Sequence, residues 1–452
     1  MGWAAGCSTR QAPGEVEMFK EITASGPPIA RGKLYGSSAK SRIETSIATY
    51  ARLFAYRRGL DWTAVQEAAR AYLPVLEAGA PDVLEEMRGI AQGSGRRLEE
   101  ILALNCRTEL LAGKDSGHVH PGWQVALFAN AAAGVPAHPD DGGELDFGDT
   151  AADGFASADA FGECTTVAAQ PSATASGKAF LAQTWDWDGE QRKALVLLRL
   201  YASNAPEILT LTEAGMVAKH GLNSAGLAVG LNAMRGQNDG QRVGMPVHVL
   251  LRMMLAARTF DEAKAIPKAH QAAASSCIVL ASAQGDLTAL EICPDAVAEV
   301  QAQNGLLAHS NHALDAGVAA NECEIGPGNS TRQRYERASE LMKTGRGDRG
   351  KLRLDDVKAI LRDHAGPSFL TPLGAFKPAC ICRHPDKSVA AVDRRESVCA
   401  LIIDLGDMAI HIAPGLPCTS EFQTIKVDDI PVQSHSNGPA VMAHACTVCV
   451  PM

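Results

Sequence analysis

Apolar residues recur at helical spacing from Ser38 to Tyr56, broken by Arg and Lys, and again from Asp61 to about Ala78, where Asp61 stands as an N-cap. Pro81-Asp82 predicts a third helix ending at Gly93 or Gly95, and Arg97 to Leu104 a short fourth. The stretch from Glu15 to Ala112 is therefore expected to be mostly helical. Ala30 to Gly36, with its glycines, reads as a strand end and turn feeding the first helix. Asn130 to Glu163 then holds eight Asp and Glu and no Lys or Arg. With so little to bury it cannot offset the entropy of ordering, so it reads as a flexible acidic linker.

After Cys164 the period changes from helical to strand-like. Thr165 to Ala169, Lys178 to Thr184, Ala194 to Tyr201, Glu207 to Leu211, Met216 to Lys219 and Leu227 to Leu231 are short apolar or alternating runs. Pro246 to Ala257 and Asp261 to Lys268 predict helices; strands resume at Cys277 to Ser282, Leu287 to Ile292, Ala296 to Gln301 and Leu306 to His309. Arg332 to Thr344 and Asp355 to Asp363 are again helical, and Val398 to Leu405 with Met408 to Ala413 forms a hairpin. Two runs of antiparallel strands divided by a helix pair predict an α+β fold, two stacked sheets with helices outside. The expected organisation is a helical segment over 15–129, the linker over 130–163, a catalytic core over 164–430 sharing one domain with 15–129, and a disordered tail over 431–452.

Composition removes several function classes. A net charge of −9 argues against a nucleic-acid surface, and no apolar run approaches the length of a spanning helix. Twelve cysteines in 452 residues, several inside apolar runs, read as reduced thiols of a cytoplasmic protein. Cys380-Ile381-Cys382 and Cys446-Thr447-Val448-Cys449 each lack a second pair nearby, so neither a metal nor another cofactor is expected. Met1-Gly2 lacks the hydroxyl residue of a myristoylation site, and Cys449-Val450-Pro451-Met452 is a prenylation look-alike weakened by its proline.

The chemistry centres on Cys164. A cysteine followed by Thr165, Thr166 and an apolar run, directly behind a loose acidic segment, is placed where cutting the Glu163–Cys164 bond would make it a new N-terminus. The α-amine, with a pKa near 8, would then serve as base for its own thiol, near 8.5. The plain alternative is a core cysteine opening a strand.

The motifs Ile101 to Glu109, Cys164-Thr165-Thr166, Gln183-Thr184-Trp185-Asp186-Trp187, Thr212 to Gly226, His309-Ser310-Asn311-His312, Ile381-Cys382-Arg383 and Pro414 to Phe422 occur in that order. In this the chain resembles the acyl-coenzyme A:6-aminopenicillanic acid acyltransferase family of N-terminal-nucleophile hydrolases. The resemblance implies an αββα sandwich and a precursor cut before Cys164, whose N-terminal fragment stays bound as a non-covalent subunit. It also implies an acyl-thioester on Cys164 passed to water or an amine, with a small-molecule amide or acyl-coenzyme A as substrate. Asp186 is implied to hold the α-amino group, Asn311 to donate to the oxyanion, and Arg383 to pair with Asp186. Asn223 and Gly226 are read as turn architecture, and Arg107 to Glu109 as packing on the processed strand. The chain departs from the family in having Glu163 where glycine is common, and in its longer acidic segment. Two rivals stay open: an uncut, inactive binding protein of the same fold, and a papain-like protease pairing Cys164 with His309 or His312.

Overall fold

A computed structural model describes residues 19–112, 163–326, 329–347, 350–370, 376–387 and 390–427. The acidic linker lies outside these residues apart from the backbone of Glu163; both chain ends, with their lipidation look-alikes, lie outside them too.

The strand Glu163–Ala169 sits inside a six-stranded sheet, between Leu306–His309 and Phe180–Trp187; Glu396–Asp404, Ala409–Pro414 and Gln423–Lys426 complete it. An eight-stranded sheet runs Lys20–Ser25, Leu195–Tyr201, Ile208–Glu213, His220–Asn223, Leu227–Ala233, Ser276–Ser282, Leu287–Cys293 and Ala296–Gln301. Alternation sets the layers. Cys164, Thr166 and Ala168 face the large sheet, where the Thr166 hydroxyl meets Asn232 Oδ1 at 2.7 Å. Thr165, Val167 and Ala169 face outward, toward the helices Thr331–Thr344 and Leu354–Leu361. On the far side Val247–Ala256 and Phe260–Ala269 cover the large sheet. The result is a helix–sheet–sheet–helix stack, the αββα arrangement expected from the strand pattern.

The N-terminal segment departs most from its reading. Pro28–Ser38 is a helix, where a strand end and turn are expected. Its glycines serve contact: a Cβ on Gly32 or Gly36 would run into the carbonyls of Glu86 and Ile90 on the helix Pro81–Ser94, and Gly89 and Gly93 meet the other helix in the same way. Gly95, at φ +72°, does end that helix as its sequence predicts. Asp61 caps Trp62–Arg70 by accepting from the Ala64 N–H at 2.8 Å, but the helix breaks and restarts as Leu73–Gly79. Lys20–Ser25, inside the stretch read as helical, is a strand lying parallel to Leu195–Tyr201. Met216 to Lys219 is an irregular loop after the turn at Ala214-Gly215, and the strand follows at His220–Asn223.

The N-terminal helices share the core of the large sheet. Tyr35 Oη accepts the Gly215 N–H at 2.7 Å, and the Asn105 amide joins Gly215 O at 2.9 Å and the Val217 N–H at 2.9 Å. Because the helix crossing at Gly32 leaves no room for a side chain, Gly32→Val is expected to cost about 3 kcal/mol. A urea-unfolding midpoint unchanged from wild type would contradict that packing.

Candidate active site

The sheet ladder ends one register step early at Cys164. Leu306–His309 pairs with 166–169 and stops at His309 opposite Thr166, so the outward N–H and C=O of Cys164 have no strand beside them. Side chains take its place. The Cys164 N–H donates to Asn311 Oδ1 at 2.9 Å, and Arg334 donates to Cys164 O at 2.7 Å, to Thr165 Oγ1 at 2.9 Å and to Asn311 Oδ1 at 2.9 Å. Asn311 Nδ2 donates to Ala233 O at 2.9 Å, which fixes the orientation of the amide. Its main-chain N–H is anchored on Thr331 Oγ1 at 2.7 Å. Among the described residues the second hydrogen on Nδ2 has no acceptor.

Asp186 lies opposite Glu163 in the ladder and is fully buried. Ser397, opposite it on the other side and next to a register shift in Glu396–Asp404, donates to Asp186 Oδ1 at 2.6 Å. Asp186 Oδ2 has no hydrogen-bond partner among the described residues. Burial raises the Asp186 carboxyl to about 7, against the pull of Arg334 and Ser397. Burial, reinforced by the Asp186 charge, pushes the Cys164 thiol up to about 11, with Lys219 and Arg334 acting the other way.

A cavity opens on the inter-sheet side of Cys164, lined among others by Trp185, Trp187, Lys219, Arg107 and Leu231. Lys219 Nζ sits 3.4 Å from the centre of the Trp185 ring and 3.5 Å from Glu213, and burial brings its ammonium down to about 7. Glu213 also takes Arg107 at 3.1 Å and the Tyr50 hydroxyl. Arg107 and Thr108 thus line the cavity, and Glu109 accepts the Val247 N–H at 2.8 Å.

Of the residues singled out from sequence, Cys164, Asp186 and Asn311 come together. Arg383 joins them through its backbone: its N–H donates to Ser397 Oγ and its C=O accepts the Ser397 N–H, both at 2.9 Å. Arg334 also bears on Asp186, through its positive charge. Sequence reasoning placed Arg334 on the helix Arg332 to Thr344 and gave it no role. The legible signal was its spacing, since Thr331, Arg334, Ala338 and Met342 form one buried stripe. Lys219 could have been found as a charge inside the apolar run Met216-Val217-Ala218. Asn232, fully buried with Nδ2 unpartnered among the described residues, was also missed.

The histidines stand apart. Both ring nitrogens of His309 face acceptors, Glu291 at 2.8 Å and Ser310 O at 2.9 Å, so its ring carries both protons and cannot take another. His312 contacts the hydroxyls of Ser310 and Thr331. Asn223 fulfils its turn role, accepting from the Ala225 and Leu227 N–H groups at 3.0 Å, while Gly226 adopts φ +82°.

The linkage expected of Asp186 has a definite sign. Its folded pKa lies above its unfolded value near 4, so the fold binds the extra proton between pH 4 and 7 and loses that stability as pH rises through this window. In a Cys164→Ala background, the stability difference between Asp186 and Asp186→Asn chains should shift against Asp186 by on the order of 3 kcal/mol from pH 4 to 7 and stay level above it. A difference independent of pH would mean a carboxylate ionised throughout.

Among known proteins, a family model described as acyl-coenzyme A:6-aminopenicillanic acid acyl-transferase matches residues 173–371. A curated relative, the acyl-coenzyme A:6-aminopenicillanic-acid-acyltransferase 40 kDa form of Emericella nidulans, is 27% identical over 323 residues, 71% of this chain and 76% of its own. Among solved structures, a Caenorhabditis elegans N-acylethanolamine-hydrolyzing acid amidase ortholog covers 54% of this chain and 93% of its own at 14% identity and a TM-score of 0.36. The penicillin V acylase of Agrobacterium tumefaciens covers 58% and 86% at 14% identity and a TM-score of 0.37. Among the described residues no helix is long and apolar enough to cross a membrane. The family model and the fungal relative agree with the motif order in the sequence: over these residues the chain is similar to the acyl-coenzyme A:6-aminopenicillanic acid acyltransferase family.

Proposed function

We propose that this chain is a self-processing amide hydrolase or acyltransferase that cuts itself before Cys164 and then uses Cys164 as an N-terminal nucleophile. The observation that carries the reading is the clamp on the Cys164 main chain by Asn311 and Arg334, beside a buried Asp186 oxygen with no partner among the described residues.

In the first step Cys164 Sγ attacks the Glu163 carbonyl carbon. The Sγ–C bond forms, the C–N bond to Cys164 breaks, and the thiol proton ends on the departing nitrogen. Water then opens the thioester, leaving a Glu163 carboxylate and a free Cys164 thiol. A thiol held up to about 11 is a poor nucleophile without a base, and the liberated α-amine, ordinarily near 8, is the nearest one. Asn311 Oδ1 already accepts from that nitrogen, and Asp186 Oδ2 offers the second acceptor that a new amine requires.

In turnover the α-amine takes the thiol proton, the thiolate attacks an acyl carbonyl, and the amine leaving group, or thiol of an acyl-coenzyme A, receives the proton. Water or an acceptor amine then breaks the thioester. The oxyanion would be met by the spare N–H of Asn311 and by Nδ2 of Asn232, which the Thr166 contact points along the same face as Cys164. Trp185, Trp187 and Leu231 favour an apolar acyl chain. The fragment before the cut would remain bound, since its helices share the main core and its first strand belongs to the large sheet. The protease rival loses ground, since no histidine among the described residues hydrogen-bonds Cys164; intact mass separates the binding-protein rival.

Intact mass of wild type should give two chains meeting at Glu163/Cys164, and Cys164→Ala a single chain. An uncut wild type that still hydrolyses amides would overturn the reading. Asn232→Ala should lower kcat about 100-fold with little change in KM; an equal kcat would remove Asn232 from the oxyanion site.

A further inference from the structure

At the ends of the strands Glu396–Asp404 and Ala409–Pro414, four side chains from three segments converge. His364 follows the helix Leu354–Leu361, Cys382 and His384 lie in the loop that leads to Glu396–Asp404, and Cys418 follows Ala409–Pro414. One ligand atom from each lies within 4.8 Å of all the others. The two imidazole Nε2 atoms are 3.1 Å apart, and His384 Nε2 is 3.3 Å from Cys418 Sγ. We propose that His364, Cys382, His384 and Cys418 form a structural zinc site.

Protons alone serve this arrangement badly. His384 Nε2 has one lone pair or one hydrogen, yet both His364 Nε2 and Cys418 Sγ approach it. One cation at the centre satisfies all four atoms. In a tetrahedral site with bonds of about 2.0–2.1 Å to nitrogen and 2.3 Å to sulfur, neighbouring ligands stand about 3.3–3.8 Å apart, which the two separations approach within a few tenths of an ångström. Two imidazoles and two thiols are a donor set that suits zinc, and four protein ligands close the site, so its role is structural. Binding releases one proton from each thiol, and two thiolates then balance the charge of Zn²⁺.

The backbone that carries the ligands is held independently of them. The N–H groups of Ile381 and Cys382 donate to Asp363 O at 3.1 and 3.0 Å, and Arg337 grips the Asp363 carboxylate at 2.8 and 3.1 Å. Arg362 Nε donates to Pro417 O at 2.8 Å, beside Cys418. These contacts bring the three segments together, as an ion needs. The sequence gives no pair of adjacent ligand pairs, which is why no metal is expected there: Cys382 and His384 are two residues apart, but their partners lie at 364 and 418.

The site would also reach the nucleophile. Arg383, between two of the ligands, bonds Ser397 on both its main-chain groups, and Ser397 donates to Asp186. A zinc ion would thus fix the segment that orients Asp186.

The test is metal content of the full-length chain purified without a histidine tag, and of Cys164→Ala in parallel so that processing and zinc binding are read separately. About one zinc per chain is expected in both, falling about tenfold or more in His364→Ala/Cys418→Ser. Cobalt reconstitution of the wild type should give the intense visible bands of a tetrahedral thiolate site. A wild type that holds no zinc after dialysis against zinc, with its thiols intact, would overturn the proposal. So would a Cys382–Cys418 disulfide in a non-reducing peptide map.

Discussion

One strand stops short, and the site follows from it. In an antiparallel ladder a residue's N–H and C=O point to the same side, and Cys164 directs both past the end of Leu306–His309. Two buried main-chain groups without partners would cost several kcal/mol. Asn311, in the turn after that strand, supplies the missing acceptor, and Arg334, on the helix behind it, the missing donor. The substitution is chemically useful. Asn311 Oδ1 accepts from the Cys164 peptide N–H and would accept equally from an amine at that nitrogen.

Burial sets the electrostatics around this clamp. Asp186, Lys219 and the Cys164 thiol are all pushed by desolvation toward their neutral forms. Arg334 is the fully buried cation on the helix side, and Arg107, paired with Glu213, is buried on the cavity side. A site with protonated thiol and half-protonated acid near neutral pH is poised, and a new amine between Cys164 and Asp186 would supply the base it lacks. The buried charges are costly to keep if they serve packing alone.

The strand pattern after Cys164 was legible because alternation survives burial on one side: Leu306–His309 and Ala296–Gln301 fall where the sequence puts them. The helices capped by Asp61 and ended by Gly95 were legible for the same local reason. What escaped depends on contacts distant in sequence. Gly32 and Gly36 look like turn residues until the helix at 81–94 is placed against them. Lys20–Ser25 is a strand only because Leu195–Tyr201 offers it an edge. Arg334 is one position of a buried helix stripe, and the partners of Cys382 and His384 lie far off in sequence, at 364 and 418. The candidate nucleophile was readable from its position before an apolar run; its cationic neighbour shows in the sequence only as one position of a helix stripe, and its contact with Cys164 only in three dimensions.

The central claim is that Cys164 becomes an N-terminal 1,2-aminothiol, and a cyanobenzothiazole reports that group alone. Treating the denatured, purified enzyme with this reagent should label one peptide, beginning Cys164-Thr165-Thr166-Val167, with loss of ammonia on condensation. An enzyme that turns over amides yet yields no such labelled peptide would contradict the account.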